Sequence, residues 1–179
     1  MLALENHLLE AANQAANAIN FNTTGYWHKH TNEDRKNQPN ERNLTNQFVF
    51  KLVGILESTG ITSNTYFEAT VKAKRLDALI CLPELRHFIL IETKHLHSQT
   101  EKSSIATDIR KMQFVQDTLI IQRPNWSFTH IIISDNWFDS EIPVWVQDPS
   151  LSNFKRTVHP IRKTDQYNWQ LLLGIHHVA

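Results

Sequence analysis

The sequence predicts an α/β domain in which helices cover both faces of a central mixed β-sheet. Hydrophobic periodicity over residues 41–134 follows the order helix, strand, strand, strand, helix, strand. The last of these strands, residues 128–134, is almost wholly apolar, which is typical of a strand that is covered on both faces. This order of elements places helices on both sides of the sheet.

Composition supports one folded domain and excludes several other classes of protein. The chain has 179 residues, of which 41% are apolar and 20% charged, as in ordinary globular domains. Eighteen basic residues balance eighteen acidic ones, so the chain has no global basic field. Its single cysteine, Cys81, excludes an internal disulfide and a Cys-rich zinc framework. No apolar run could span a membrane, and the acidic N-terminus does not resemble a signal peptide, so we expect a cytoplasmic protein.

The elements of the predicted core differ from the segments that precede it. Residues 4–19 carry leucine and alanine on one face, which predicts an amphipathic helix. Residues 22–40 are polar and aperiodic and contain Gly25 and Pro39, which predicts a long loop. We treat both as additions to a single domain whose core spans about residues 41–147.

Within the core, helical spacing predicts helices at residues 41–57 and 103–119. Runs that alternate or are rich in β-forming residues predict strands at residues 65–72, 76–82, 87–94, 128–134 and 142–147. Periodicity does not decide between helix and strand for the C-terminal stretch YNWQLLLGIHHV. The sheet should therefore have four to five strands.

The second and third strands carry the charges that point to a function. With PELR as a four-residue loop, Leu82 pairs with His87, and Asp77 lies directly opposite Glu92 with Cβ atoms roughly 5 Å apart. Alternation places Lys94 on the same face as these two acids. Two opposed carboxylates destabilise a ladder unless a metal cation, a shared proton or a nearby lysine neutralises them.

The same alternation predicts an apolar second face for this hairpin. Leu76 and Ala78 should share that face, which would leave the charged side chains at one end of a largely buried hairpin. If a metal balances the acids, its ligands are oxygens, including a main-chain carbonyl such as that of Thr93. Such ligands favour Mg²⁺ or Mn²⁺ over zinc. The alternative is structural, with Lys94 as the counter-ion of both acids.

The segments RLDALI and LIETK resemble the motif of the PD-(D/E)XK phosphodiesterase superfamily, which includes restriction-endonuclease-like nucleases. The signature is an Asp that starts one strand and a Glu-X-Lys in the next, here Asp77 and Glu92-Thr93-Lys94. The resemblance covers roughly residues 41–134 and implies a restriction-endonuclease-like core of order α-β-β-β-α-β. One departure is that Leu76, and no proline, precedes Asp77.

This resemblance implies a Mg²⁺-dependent endonuclease that hydrolyses phosphodiester bonds, in DNA in preference to RNA. Asp77, Glu92 and the main-chain carbonyl of Thr93 would hold Mg²⁺, for which Mn²⁺ would substitute. Lys94 would position the attacking water or help to deprotonate it. The family often adds a Glu from the first core helix, for which Glu41 is the candidate here. Glu41 has an alternative role as a first-turn residue that stabilises the helix dipole.

Several basic residues are candidates for contacts with nucleic-acid phosphates: Lys72, Lys74, Arg75, His95, Arg110 and Lys111. A solvated helix face is the simpler interpretation for the last two, and Arg75 has an acidic partner within reach in Glu68. Trp27, in the polar loop, is the aromatic residue that we expect to contact a partner. The His-X-His patterns at 28–30 and 95–97 lack a third zinc ligand at a suitable spacing.

Two other functions stay open at this point. A non-catalytic member of the same fold would bind nucleic acid or protein, although the intact set of Asp77, Glu92 and Lys94 argues against it. An unrelated α/β domain would use these residues for structure alone. Metal binding and cleavage assays separate the three. The sequence does not determine the cutting specificity, the biological process, or whether the chain forms a homodimer or a larger complex.

Overall fold

Three helices and six strands form the described part of the chain. The computed structural model describes residues 2–23, 41–95, 99–136, 149–163 and 168–178. The helices are α1 (Leu2–Thr23), α2 (Glu41–Ser58) and α3 (Gln99–Gln122). The strands are β1 (Asn64–Val71), β2 (Lys74–Leu82), β3 (His87–His95), β4 (Ser127–Asn136), β5 (Lys155–Lys163) and β6 (Asn168–Val178).

The strands form one mixed sheet in the order β1-β2-β3-β4-β6-β5. Strands β1, β2 and β3 are an antiparallel meander, β4 lies parallel to β3, and β6 and β5 complete the sheet with antiparallel pairs. The α/β class and the order of elements from α2 to β4 are therefore confirmed. The sheet has six described strands where four to five were predicted, because the C-terminal stretch is a strand and β5 was not predicted.

Two segments of the prediction lie outside the described residues. These are nearly all of the polar loop, from residue 24 to residue 40, and the predicted strand at residues 142–147. Trp27 belongs to the first of them.

The two faces of the sheet have separate hydrophobic cores. One face packs against α1 and α2, and we call its buried side chains the α1–α2 core; they include Leu8, Phe48 and Ile91. The other face packs against α3, and its α3 core includes Leu90 and Met112. Helix α1 and strand β6 thus both contribute buried side chains to the α1–α2 core.

Two buried histidines between β3, β4 and β6 make the stability of the fold depend on pH. His87 is hydrogen-bonded to Ser127 Oγ at 2.7 Å and to Thr129 Oγ1 at 2.8 Å, and burial lowers its pKa to about 4. Burial also lowers the pKa of His130 to about 4, with a further contribution from His176. Both imidazoles are therefore neutral in the folded chain above about pH 4.

We expect acidification from pH 6.5 towards 4 to destabilise the fold, because only the unfolded chain takes up these two protons. Each histidine contributes on the order of 3 kcal/mol across that range. Glu92 opposes this loss of stability. Burial and the charge of Asp77 raise its pKa to about 8, so the folded chain binds the Glu92 proton at a higher pH than the unfolded chain does. Urea unfolding at several pH values should show a shallower decline for His130→Phe than for the wild type. Identical slopes would show that His130 titrates normally in the folded chain.

Candidate active site

The β2–β3 hairpin has the predicted register. Its strands pair from Leu82↔His87 to Ala78↔Ile91 around the four-residue loop 83–86. In the described sheet, main-chain pairing ends there, although β2 begins at Lys74 and β3 continues to His95. Asp77 and Glu92 therefore come directly after the last pair, one on each strand, and are not themselves a ladder pair.

The Asp77 carboxylate closes the end of this ladder. The main-chain N–H of Thr93 donates a hydrogen bond to Asp77 Oδ2 at 2.7 Å. A side-chain oxygen thus replaces the main-chain acceptor that the neighbouring strand would otherwise supply. The bond fixes Asp77 beside the Glu92–Thr93 peptide.

The alternation of side chains breaks at the level of Asp77. Leu76 belongs to the α3 core, whereas Ala78 belongs to the α1–α2 core. On the adjacent strand Glu68 has a φ of 52°, and the described β1–β2 register lacks a pair between Glu68 and Asp77. The left-handed φ of Glu68 turns the β1 backbone out of the extended conformation beside the point where β2 changes face. The prediction that Leu76 and Ala78 share a face is therefore wrong.

The first turn of α2 is tied to β3 by two buried hydroxyl groups. Thr45 Oγ1 donates to the main-chain oxygen of Glu41 at 2.9 Å and is hydrogen-bonded to Thr93 Oγ1 at 2.7 Å. This linkage holds the start of α2 against the same peptide that binds Asp77.

Glu41 and Asp77 line one pocket of about 330 Å³, whose lining does not include Glu92. We call it the Asp77 pocket; its lining includes Glu41, Arg42, Phe50, Phe67, Arg75 and Asp77. Burial raises the pKa of Asp77, and the nearby Glu41 charge raises it further. The two carboxylates are thus close enough to interact.

Glu92 is the most buried acid of the site, with only 1% of its surface exposed. Its Oε2 atom lies 2.6 Å from Lys111 Nζ, in the middle of α3. Its Oε1 atom is buried and has no hydrogen-bond partner within the described part of the chain. Burial, together with the charge of Asp77, raises the pKa of Glu92 to about 8. One buried oxygen of this carboxyl group therefore remains available to a ligand.

Lys94 does not form the predicted ion pair with Asp77 and Glu92 and contacts Asp108 instead. Its Nζ atom lies 3.4 Å from Asp108 Oδ2, while Asp108 Oδ1 lies 3.2 Å from Lys111 Nζ. The cation in contact with Glu92 is therefore Lys111, and Asp108 joins the two ammonium groups. Although burial alone would lower it, the carboxylates of Asp108 and Glu41 raise the pKa of Lys94.

The sequence pattern predicts Lys111 as a phosphate contact and gives Asp108 no role, whereas in the structure Asp108 contacts both lysines. Asp108 follows Ile105 by three residues and precedes Met112 by four, so it lies on the apolar stripe of α3. A buried acid on a helical stripe requires a partner, and this was the signal that could have identified it.

The other predicted phosphate contacts are more scattered. Arg75 forms an exposed ion pair with Glu68 at 3.0 Å and lines the Asp77 pocket. Lys72, Lys74 and Arg110 are also exposed, but among the described residues none of them lines that pocket. Lys74 lies over the ring of Phe114, and Arg110 donates to Thr107. The His95 side chain lies outside what the structure describes.

The charges of the site suit an added cation. Its carboxylates and ammonium groups belong to Glu41, Asp77, Glu92, Asp108, Lys94 and Lys111. If all are ionised, these negative charges exceed the positive ones by two. Arg42, which also lines the Asp77 pocket, reduces the excess to one, which either a cation or a proton on Glu92 can balance. Within the described ranges no group of three or more His, Cys, Asp or Glu side chains is arranged to hold a metal. Two carboxylates and a main-chain carbonyl remain a chemically suitable donor set for a hard cation.

Comparison with known proteins does not assign this site. No family model matches the sequence, and no curated protein matches it. Among the helices that the structure describes, none is long and apolar enough to cross a membrane. A function must therefore be inferred from the side chains themselves.

Proposed function

We propose that this chain is a metal-dependent nuclease with a restriction-endonuclease-like core, which hydrolyses phosphodiester bonds in DNA in preference to RNA. The observation that carries the proposal is the pairing of Asp77 with the Glu92–Thr93–Lys94 segment at the end of the β2–β3 ladder. There, a buried carboxyl oxygen of Glu92 lacks a partner within the described residues, and the Asp77 charge contributes to raising the Glu92 pKa to about 8. Carboxylates crowded in this way favour the binding of a cation.

Asp77, Glu92 and the main-chain carbonyl of Thr93 would hold the metal. These are oxygen donors of the kind that Mg²⁺ and Mn²⁺ prefer. When bound, such an ion supplies a water of lowered pKa and a positive charge that stabilises the transition state. Glu92 must lose its proton to act as a ligand, so metal binding should release protons near neutral pH.

The protein's own groups would prepare the site for that chemistry. The Thr93 N–H holds the Asp77 carboxylate in place, and Asp108 holds both lysine ammonium groups. Because its pKa is raised, Lys94 carries a proton at neutral pH and cannot act as a base. Its role would be to donate a hydrogen bond to the attacking water and to offset the charge that grows on the phosphate.

Incubation of the purified chain with supercoiled plasmid tests the proposal. Nicked or linear products should form with Mg²⁺ or Mn²⁺ and disappear with EDTA. Parallel reactions with single-stranded DNA and RNA establish the preference for DNA. An absence of cleavage on all three substrates with either metal would contradict the proposal.

The ion pair between Lys111 and Glu92, at 2.6 Å, favours a second candidate function. If Lys111 permanently neutralises Glu92, the chain would be a non-catalytic member of the same fold that binds nucleic acid. Such a protein would bind DNA with equal affinity in Mg²⁺ and in EDTA and would leave it intact. Calorimetric titration with Mn²⁺ separates the two functions, since only the nuclease requires a metal.

A further inference from the structure

Two exposed phenylalanines lie at the Asp77 pocket. Phe50 of α2 is 61% exposed and Phe67 of β1 is 38% exposed. Their ring centroids are 5.7 Å apart, and their planes meet at 59°. Both rings line the same pocket as Asp77 and Glu41. The proposed catalytic acids thus have an aromatic surface beside them.

This surface is not explained by the packing of the core. Phe48, two residues earlier in α2, is fully buried and packs in the α1–α2 core. Phe50 is not part of that core, and its ring lines the pocket. Exposed aromatic rings that are grouped in a concave site commonly bind a ligand. The pocket volume of about 330 Å³ falls within the usual range for small-molecule sites.

The polar lining of the pocket narrows the chemistry of that ligand. Arg42 and Arg75 line the pocket together with the acids Glu41, Glu68 and Asp77, and the Arg75 guanidinium lies 3.0 Å from Glu68 at an exposed position. Aromatic rings bind flat unsaturated groups, and guanidinium groups bind phosphates. A nucleotide combines both features. With its base against the phenylalanines, the nucleotide would have its phosphate near the arginines and Asp77.

We propose that Phe50 and Phe67 bind an unpaired nucleobase, one ring by stacking on its face and the other, tilted by 59°, by an edge-to-face contact, so that the substrate class is single-stranded or branched nucleic acid. This inference rests on the proposed nuclease function and specifies its substrate. A base inside an intact duplex has both faces covered by its neighbours and cannot stack on a side chain without leaving the helix. Stacking on aromatic rings is tolerant of sequence, so the pocket would select for an unpaired base and not for a particular one.

A fluorescence titration tests base stacking separately from cleavage. The probe is a single-stranded oligonucleotide that carries 2-aminopurine and phosphorothioate linkages, which resist hydrolysis, titrated in Mg²⁺. We expect the wild-type chain to quench the probe. Phe50→Ala and Phe67→Ala should each bind about 5- to 100-fold more weakly, the effect that loss of one stacking partner produces. Phe50→Tyr keeps an aromatic ring and should retain binding.

Phe21→Ala is the matched control, because Phe21 is 82% exposed on α1 and lines a different pocket. It should bind the probe as the wild type does. Circular dichroism of all variants should be unchanged, since none of the three rings is buried. Equal affinity of Phe50→Ala, Phe67→Ala and wild type would overturn the proposal. Wild-type binding to an intact blunt duplex as tight as to the single strand would also overturn it.

Cleavage kinetics distinguish a failure of this inference from a failure of the nuclease proposal. On a single-stranded substrate, Phe50→Ala should raise KM more than it lowers kcat, because the ring binds substrate away from the reacting atoms. Normal cleavage with KM unchanged by both phenylalanine substitutions would refute the stacking role and leave the nuclease intact. Binding that depends on the phenylalanines without any cleavage would refute the nuclease and support base stacking.

Discussion

Asp77→Asn and Glu92→Gln should each abolish metal-dependent cleavage and remove the heat of Mn²⁺ binding. Each substitution replaces a charged oxygen donor with a neutral amide, a poor ligand for a hard cation. The amide oxygen that Asp77→Asn introduces can still accept the hydrogen bond from the Thr93 N–H, so the fold should persist. Calorimetry and plasmid nicking on the same preparations measure both effects.

Glu57→Gln is the matched control for these two substitutions. Glu57 is exposed near the end of α2 and lies outside the Asp77 pocket, so its loss should change neither metal binding nor cleavage. Persistent cleavage by folded Asp77→Asn or Glu92→Gln would show that the two acids are not the metal ligands. In that case the cluster around Lys111 would be an ion-pair network that only stabilises the sheet.

The two lysines should behave differently when each is replaced by alanine. Lys94→Ala removes no ligand, so metal affinity should be retained or rise, while turnover should fall by roughly 10²–10³-fold, as for loss of one positioned donor that stabilises developing charge. Lys111→Ala removes the cation in contact with Glu92. Metal affinity should then rise, because Glu92 Oε2 no longer has a competing partner. The metal-free protein should become less stable, since the buried Glu92 carboxyl group loses the hydrogen bond from Lys111.

Mn²⁺ calorimetry, plasmid nicking and thermal unfolding with and without metal test this contrast. Near-normal nicking by Lys94→Ala would show that Lys94 is only the counter-ion of Asp108. Unchanged metal affinity in Lys111→Ala would show that its ammonium group does not compete for Glu92. Lys94→Arg keeps the charge near Asp108 and should fold as the wild type does, which controls for loss of structure.

Local patterns predicted the hairpin well, because register in a short antiparallel pair depends on loop length and alternation. The four-residue loop alone was enough to pair Leu82 with His87. The change of face at Asp77 could not be predicted in the same way. It lies beside the left-handed φ of Glu68, a residue type that ordinarily avoids that conformation.

The contact between Glu92 and Lys111 could not be predicted from the sequence for a different reason. Lys111 lies 19 positions later on α3, and its contact with Glu92 depends on how that helix packs across the sheet. Strand β5 was missed because its sequence, KRTVHPIRK, is charged and contains Pro160. Such residues are unusual in central strands but are accepted at the edge of a sheet, which is where β5 lies.

The two edge strands of the described sheet share a property that bears on self-association. At one edge, β1 is interrupted by the conformation of Glu68; at the other, β5 has an irregularity between Pro160 and Arg162 and carries lysines at both ends. A strand from a neighbouring copy would pair poorly with β1, whose ladder is distorted at Glu68. It would also pair poorly with β5, where Pro160 has no N–H donor and the lysines repel other cations. Strand addition, by which edge strands form fibrous aggregates, is therefore disfavoured at both edges of the described sheet.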